Sequence, residues 1–153
     1  INTVYETAES GLWVQGTQRI LSPEVQGLIQ RGELWLAVRN GQLVGCMKVR
    51  MMGPKLGEFG LLVADPSVRG VGLGSRMVAQ AETWARSQGC QTMRLELLTP
   101  RDWTHEVKAF LHSWYTRIGY VPIETEPLER EYARLVPLLA CPCVFTVYHK
   151  PLT

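Results

Sequence analysis

The chain has 153 residues, which suits one domain spanning residues 1–153. Its composition is globular, 46% hydrophobic and 20% charged, and a net charge of +2 spread along the chain offers no basic face for nucleic acid. No apolar run approaches the roughly 20 residues that cross a bilayer, and no secretory signal opens the sequence at Ile1, so neither a membrane nor a nucleic acid is expected as partner.

In chain order, Val4, Ala8, Leu12 and Trp13 have helical spacing and predict a short helix within residues 1–21. The next helix is signalled at both ends, by Ser22 as N-cap with Pro23 in the first turn and by Gly32 at its close, with Val25, Leu28 and Ile29 as its apolar stripe. Residues 34–38 and 43–49 are apolar runs around Asn40-Gly41, the pair that favours a type I′ hairpin. Residues 51–57, with Gly53-Pro54, read as a turn, and a third strand over residues 59–63 stops at Asp65-Pro66. A long helix then starts inside a glycine-rich loop and carries Leu73, Met77, Val78, Ala81, Trp84 and Ala85 on one face up to Gly89. A strand over residues 92–98 follows, then a helix over residues 106–118 with Val107, Phe110, Leu111, Trp114 and Ile118 as its stripe. Residues 120–123 and 144–148 read as closing strands, with a short helix within residues 128–139 between them. Hairpin-linked early strands followed by strands with helical crossovers predict an α/β fold, a central mixed sheet with helices on both faces.

Arg69-Gly70-Val71-Gly72-Leu73-Gly74 lies between a strand and a helix. The missing Cβ atoms let a ligand approach the backbone, and the helix start offers unpaired N–H groups and a positive dipole end, which together suit a phosphate or pyrophosphate. The glycines alone fit a closely packed strand-to-helix turn equally well. The spacing is neither that of a dinucleotide-binding G-x-G-x-x-G nor that of a Gly-Lys-Ser/Thr phosphate loop, because this loop ends Gly74-Ser75-Arg76.

The longer stretch Leu62-Val63-Ala64-Asp65-Pro66-Ser67-Val68-Arg69-Gly70-Val71-Gly72-Leu73-Gly74 resembles the cofactor-binding signature of the GNAT N-acetyltransferase superfamily, a strand ending L-x-V-x-P and then Arg/Gln-x-x-Gly-x-Gly/Ala. A second stretch, Trp114-Tyr115-Thr116-Arg117-Ile118-Gly119-Tyr120, resembles the later Tyr…Gly-Phe/Tyr helix end of that family, in the expected order. The resemblance implies a sheet splayed in its middle, acetyl-CoA as cosubstrate, and direct attack by a substrate amine in a ternary complex. It implies that the pantetheine arm pairs with backbone near Leu61, Leu62 and Val63, with the Val63 N–H polarising the thioester, and that Gly70, Val71, Gly72, Leu73, Gly74 and Ser75 hold the pyrophosphate beside Arg69 and Arg76. Tyr115 matches the family's proton donor to the departing thiolate. Glu58 matches a Glu that acts as base through water, a role suited to a carboxylate of raised pKa; Glu96 is the second candidate base.

Two departures accompany the match. The family's opening strand is not legible and is expected upstream of Ile1. The Asn that many members carry between the two motifs is missing from residues 100–108, where Thr104, His105 and Lys108 are the available substitutes. Trp35 and Trp103 are candidates to line an acceptor pocket, while His105, His112 and His149 read as ordinary surface histidines. Cys46, Cys90, Cys141 and Cys143 fit no zinc spacing and read as thiols of a reducing compartment, so no metal is expected and the location expected is the cytoplasm. The expected acceptor is a small-molecule amine; a protein or peptide acceptor and a non-catalytic acyl-CoA sensor are the alternatives. The apolar segment 128–142 fits either core or a homodimer surface.

Overall fold

The computed structural model describes residues 1–68 and 70–153, and its elements follow the order read from the sequence. Helices α1 (Asn2–Ala8) and α2 (Ser22–Gln30) precede the strands β1 (Leu34–Arg39), β2 (Gln42–Gly53) and β3 (Leu56–Ala64). Helix α3 (Leu73–Ser87), strand β4 (Thr92–Pro100), helix α4 (Glu106–Arg117), strand β5 (Val121–Glu126), helix α5 (Glu129–Tyr132) and strand β6 (Cys143–Pro151) complete the fold. The expected opening strand is not among the described residues.

Local chemistry explains most of these elements. Asn40 and Gly41 take φ of 52° and 76°, the two positive values a type I′ turn demands. The second hairpin is tighter than the sequence predicts. The expected turn at residues 51–57 is mostly strand, with β2 running to Gly53 and β3 starting at Leu56, because the ladder continues through Met51 opposite Gly57 and Gly53 opposite Leu56. Helix α2 begins at Ser22 itself rather than after it; Leu21 is the N-cap, and its amide donates to Glu24 Oε2 at 2.7 Å.

The sheet has six strands in the order β1-β2-β3-β4-β6-β5. Only the β3–β4 pair is parallel, and its register spans Leu56 opposite Thr92, Gly57 opposite Met93 and Glu58 opposite Arg94. Beyond Glu58 and Arg94 the two strands separate, which gives the mixed, centrally splayed sheet. One face carries α3 and α4 over a core that includes Phe59, Met77, Ala81, Met93, Leu95 and Tyr120. The other face carries a smaller core in which Leu12, Leu98, Leu128 and Phe145 meet.

Helix α4 departs from its expected face. Val107 and Phe110 are exposed, and the buried positions are Lys108 and Tyr115, with Leu111, Trp114 and Ile118 partly covered. The i, i+3, i+7 set Lys108, Leu111 and Tyr115 faces inward because a cavity lies under this helix and the Lys108 ammonium finds a buried carboxylate there.

Candidate active site

The splay between β3 and β4 opens a cavity of about 520 Å³ that passes through the sheet. Leu111 and Tyr115 of α4 line it from one face, and Tyr5, Arg19, Leu28 and Tyr132 line it from the other. Glu58, Leu61, Leu62 and Glu96 line it from the two parted strands.

A bulge sets the backbone on the β3 side. Lys48 pairs with Gly60 and Cys46 with Val63, so two residues of β3, Leu61 and Leu62, stand against Met47 alone, and Leu61 adopts a φ of 48°. Downstream of the bulge, the Asp65 N–H donates to Val44 O at 2.8 Å. Alternation along an antiparallel ladder then turns Val63 toward β2 and turns Leu62 and Ala64 toward the gap. The Val63 carbonyl agrees, lying 2.7 Å from where a Cβ on Gly45 of β2 would stand. On this parity the Val63 N–H, expected to polarise the thioester, faces β2, and the gap-facing groups are those of Leu62 and Ala64. Ala64 was missed because the bulge that sets this parity has no residue signature.

At the far end of β3 lies the glycine loop. Gly70 and Gly72 have φ of 83° and 71°, a region that L side chains avoid, and a Cβ on either would meet nothing within 4 Å. These two glycines therefore serve the backbone path and leave open space above the loop. Gly72 is the N-cap of α3, without a side-chain cap or an acid in the first turn. The first N–H groups of this 15-residue helix thus have no acceptor among the described residues, and Arg76 is exposed beside them. Val71 and Ser75 are exposed as well. This uncapped, open helix start fits a pyrophosphate. Arg69, expected to help neutralise it, lies outside the described residues.

The two candidate bases differ sharply. Glu58 is buried in a clamp of cations: Lys48 Nζ and Arg50 Nε lie 2.8 and 2.9 Å from its Oε1, and Arg94 donates to its Oε2. Arg50 and Arg94 are its direct neighbours on β2 and β4, so the clamp ties three strands at the last pairing before the splay. Burial pushes the Glu58 carboxyl up, but Lys48 and then Arg50 outweigh it and hold the pKa below the usual carboxylate range. The raised pKa expected of Glu58 is therefore not found. Glu96 has it instead, with burial pushing it up against the pull of Arg94 and with Glu58 and Glu131 adding repulsion. Arg94 Nη2 donates to Glu96 Oε1 at 2.7 Å and the Tyr132 hydroxyl donates to Oε2 at 3.1 Å. Glu58, Glu96 and Glu131 bring carboxylate oxygens within 4.8 Å of one another, but Lys48, Arg50 and Arg94 already neutralise the group.

Tyr115 stands across the cavity from these carboxylates, within a cluster with Phe59, Tyr120 and Tyr148 at ring distances of 6.1, 6.1 and 6.3 Å. Burial pushes its phenol well above the ordinary value, so it stays protonated. Its hydroxyl makes no hydrogen bond among the described residues.

Other candidates sort plainly. Of Thr104, His105 and Lys108, Lys108 alone lines the cavity among the described residues. Trp35 packs edge-on against Trp84 at 5.6 Å and Trp103 lies against His105 at 5.4 Å, and neither lines this cavity. His112 Nδ1 is 2.7 Å from the Tyr148 hydroxyl, a buttress of the tyrosine cluster.

Comparison with known proteins agrees with this architecture. The acetyltransferase (GNAT) family model matches residues 4–120. The chain belongs to that family. An aminoalkylphosphonate N-acetyltransferase of Salmonella typhimurium is 33% identical over 90 residues, covering 56% of this chain. The chain matches about half of that relative's length, 54%. Among solved structures, a GNAT acetyltransferase from Elizabethkingia anophelis with acetyl-CoA bound has a TM-score of 0.66 at 12% identity, covering 86% of this chain and 83% of its own. Rv2747 from Mycobacterium tuberculosis, in complex with CoA, has a TM-score of 0.63 at 19% identity, covering 99% and 92%. These similarities show that the splayed mixed sheet is the GNAT fold. No helix among the described residues is long and apolar enough to cross a membrane.

Proposed function

We propose that this chain is an acetyl-CoA-dependent N-acetyltransferase that acetylates a primary amine of a small molecule by direct attack. The observation that carries the reading is the single cavity through the splay, which has Glu96 on one wall and Tyr115 on another. A carboxylate whose pKa burial raises, able to accept a proton, and a neutral phenol that donates one are the two groups acyl transfer to an amine requires. Glu96 takes the proton of the incoming amine. Tyr115 protonates the departing thiolate. Both act on opposite sides of the reacting carbon, and both are water-poor, which strengthens their fields.

Cosubstrate binding rests on the chain's own backbone. Leu62 and Ala64 present the gap-facing N–H and C=O groups for the pantetheine arm, and the amides of Val71, Leu73, Gly74 and Ser75 with Gly70 and Gly72 cradle the pyrophosphate, with Arg76 exposed beside them. The thioester supplies the acetyl group when bound. Glu58 is a positioning residue that fixes Arg94, which in turn orients Glu96.

A small-molecule acceptor is supported by the cavity's volume, within the roughly 300–1,000 Å³ of small-ligand pockets, and by walls from helices on both faces of the sheet. The name of the Salmonella relative points the same way. Calorimetry with acetyl-CoA, followed by thiol release with an amine panel, tests the reading. Expected are acetyl-CoA binding, turnover that rises with pH through the Glu96 ionisation, and loss of that acid limb in Glu96→Gln. Tight acetyl-CoA binding without turnover of any amine would make the chain an acyl-CoA-binding module instead.

A further inference from the structure

Between α1 and α2, Arg19 enters the cavity with its side chain only 10% exposed. Its guanidinium lies among three aromatic rings, 5.4 Å from the centre of Tyr5 and 5.5 Å from those of Trp13 and Tyr132. Its Nε donates to Glu9 Oε2 at 3.2 Å. Its Nη1 and Nη2 make no hydrogen bond among the described residues. Glu9 is itself saturated, accepting also from Trp13 Nε1 at 2.7 Å and from Lys108 Nζ at 2.6 Å. At this end of the cavity two buried cations therefore face one carboxylate, and the fork of one cation is unused.

Buried arginine forks are ordinarily filled by a carboxylate or another oxyanion, two donors meeting two oxygens. The aromatic rings and Glu9 hold this fork in place without occupying it, so little order is lost when a ligand docks. Glu96 lies one side chain away: Tyr132 turns its ring to Arg19 and its hydroxyl to Glu96.

Resting on the acetyltransferase reading above, we propose that the acceptor is a short amino acid-like zwitterion whose oxyanion, a carboxylate or a phosphonate or phosphate group, docks on Nη1 and Nη2 of Arg19 while its amine faces Glu96. Neutral and polycationic amines leave the fork unfilled and the surplus positive charge unscreened.

The test compares kcat/KM for size-matched amines: propylamine, β-alanine and 2-aminoethylphosphonate, with spermidine as the polycation. The better oxyanion amine is expected to exceed propylamine by about 100-fold, the effect of two charge-assisted hydrogen bonds. In Arg19→Met that ratio is expected to fall toward unity, with the loss in KM rather than kcat, and Arg19→Lys recovers part of it. The two oxyanion arms tell a carboxylate acceptor from a phosphonate or phosphate one. A binding arm does not depend on turnover: propionate and ethylphosphonate are titrated into the CoA-saturated wild-type protein and into Arg19→Met. Saturable binding of either anion by wild type, weakened about 100-fold in the variant, supports the site. Absence of any binding at tens of millimolar, or propylamine and spermidine turned over as well as β-alanine and 2-aminoethylphosphonate, overturns it. Anion binding at Arg19 with no amine acetylated would leave the oxyanion site standing and refute the acetyltransferase reading instead.

Discussion

Glu58→Gln removes the carboxylate that three cations share, two of them buried, and the structure says which of them suffers. Arg50 keeps Glu131, and Arg94 keeps Glu96 and Glu126. Lys48, whose side chain is 10% exposed, has no other carboxylate among the described ion pairs. One stranded buried ammonium costs about 3 kcal/mol, the low end for breaking a buried pair. For a chain of this length that is a fall in Tm of roughly 6–12 °C at neutral pH. The linkage runs in the same direction. Glu58 is held below its unfolded value, so its stabilisation is present above the ordinary carboxylate pKa and is lost as pH falls through the folded value. The acid limb of the stability curve is therefore shallower in Glu58→Gln. Adding Lys48→Met to Glu58→Gln recovers most of the loss, because it removes the stranded charge. Scanning calorimetry of the four members of this cycle, with kcat against pH alongside, decides the matter. A Glu58→Gln protein that melts like wild type yet has lost the acid limb of kcat would refute the clamp and make Glu58 the base.

Other expected outcomes follow from the same geometry. Tyr115→Phe lowers kcat by about 100-fold or more, as loss of a general acid does, while acetyl-CoA affinity measured by calorimetry changes little; unchanged turnover would remove Tyr115 from the mechanism. Gly72→Ala adds a Cβ into open space, so its folding cost is about 1 kcal/mol of left-handed backbone strain, read as a Tm shift of a few degrees, while acetyl-CoA binding is expected to weaken at least tenfold on the proposal that the pyrophosphate fills that space. Hydrogen exchange separates the β3 amides: Val63 is protected without ligand, whereas Leu62 and Ala64 slow only when acetyl-CoA is added. Protection of Leu62 and Ala64 in the free protein would contradict the parity set by the bulge.

Much of this protein was legible in its residues, for a local reason. Asn40-Gly41, Gly32, Gly119 and the glycine loop impose backbone angles that only a few residue types accept, so their meaning does not wait for the rest of the chain. The apolar period of α3 likewise dictates its buried face, and the sequential order of hairpins and crossovers restricts the sheet to a mixed one. Tyr115 was found by its place in a motif, and the structure sets it on the cavity wall.

The choice of base was not legible, because a carboxyl pKa is set by charges within a few ångströms, and Lys48, Arg50 and Arg94 reach Glu58 from two neighbouring strands. Sequence pattern offered Glu58 and Glu96 alike; only the packing makes one a clamp of lowered pKa and the other a carboxyl of raised pKa. The gap-facing parity of β3 depends on one extra residue at Leu61, a bulge whose register exists only against β2. Arg19, in a loop without any motif, becomes a candidate ligand only when α4 brings Lys108 to Glu9 and the rings of Tyr5, Trp13 and Tyr132 gather around it. Short-range backbone preference thus determined the frame, and long-range electrostatics and register, which no local stretch encodes, decided the chemistry within it.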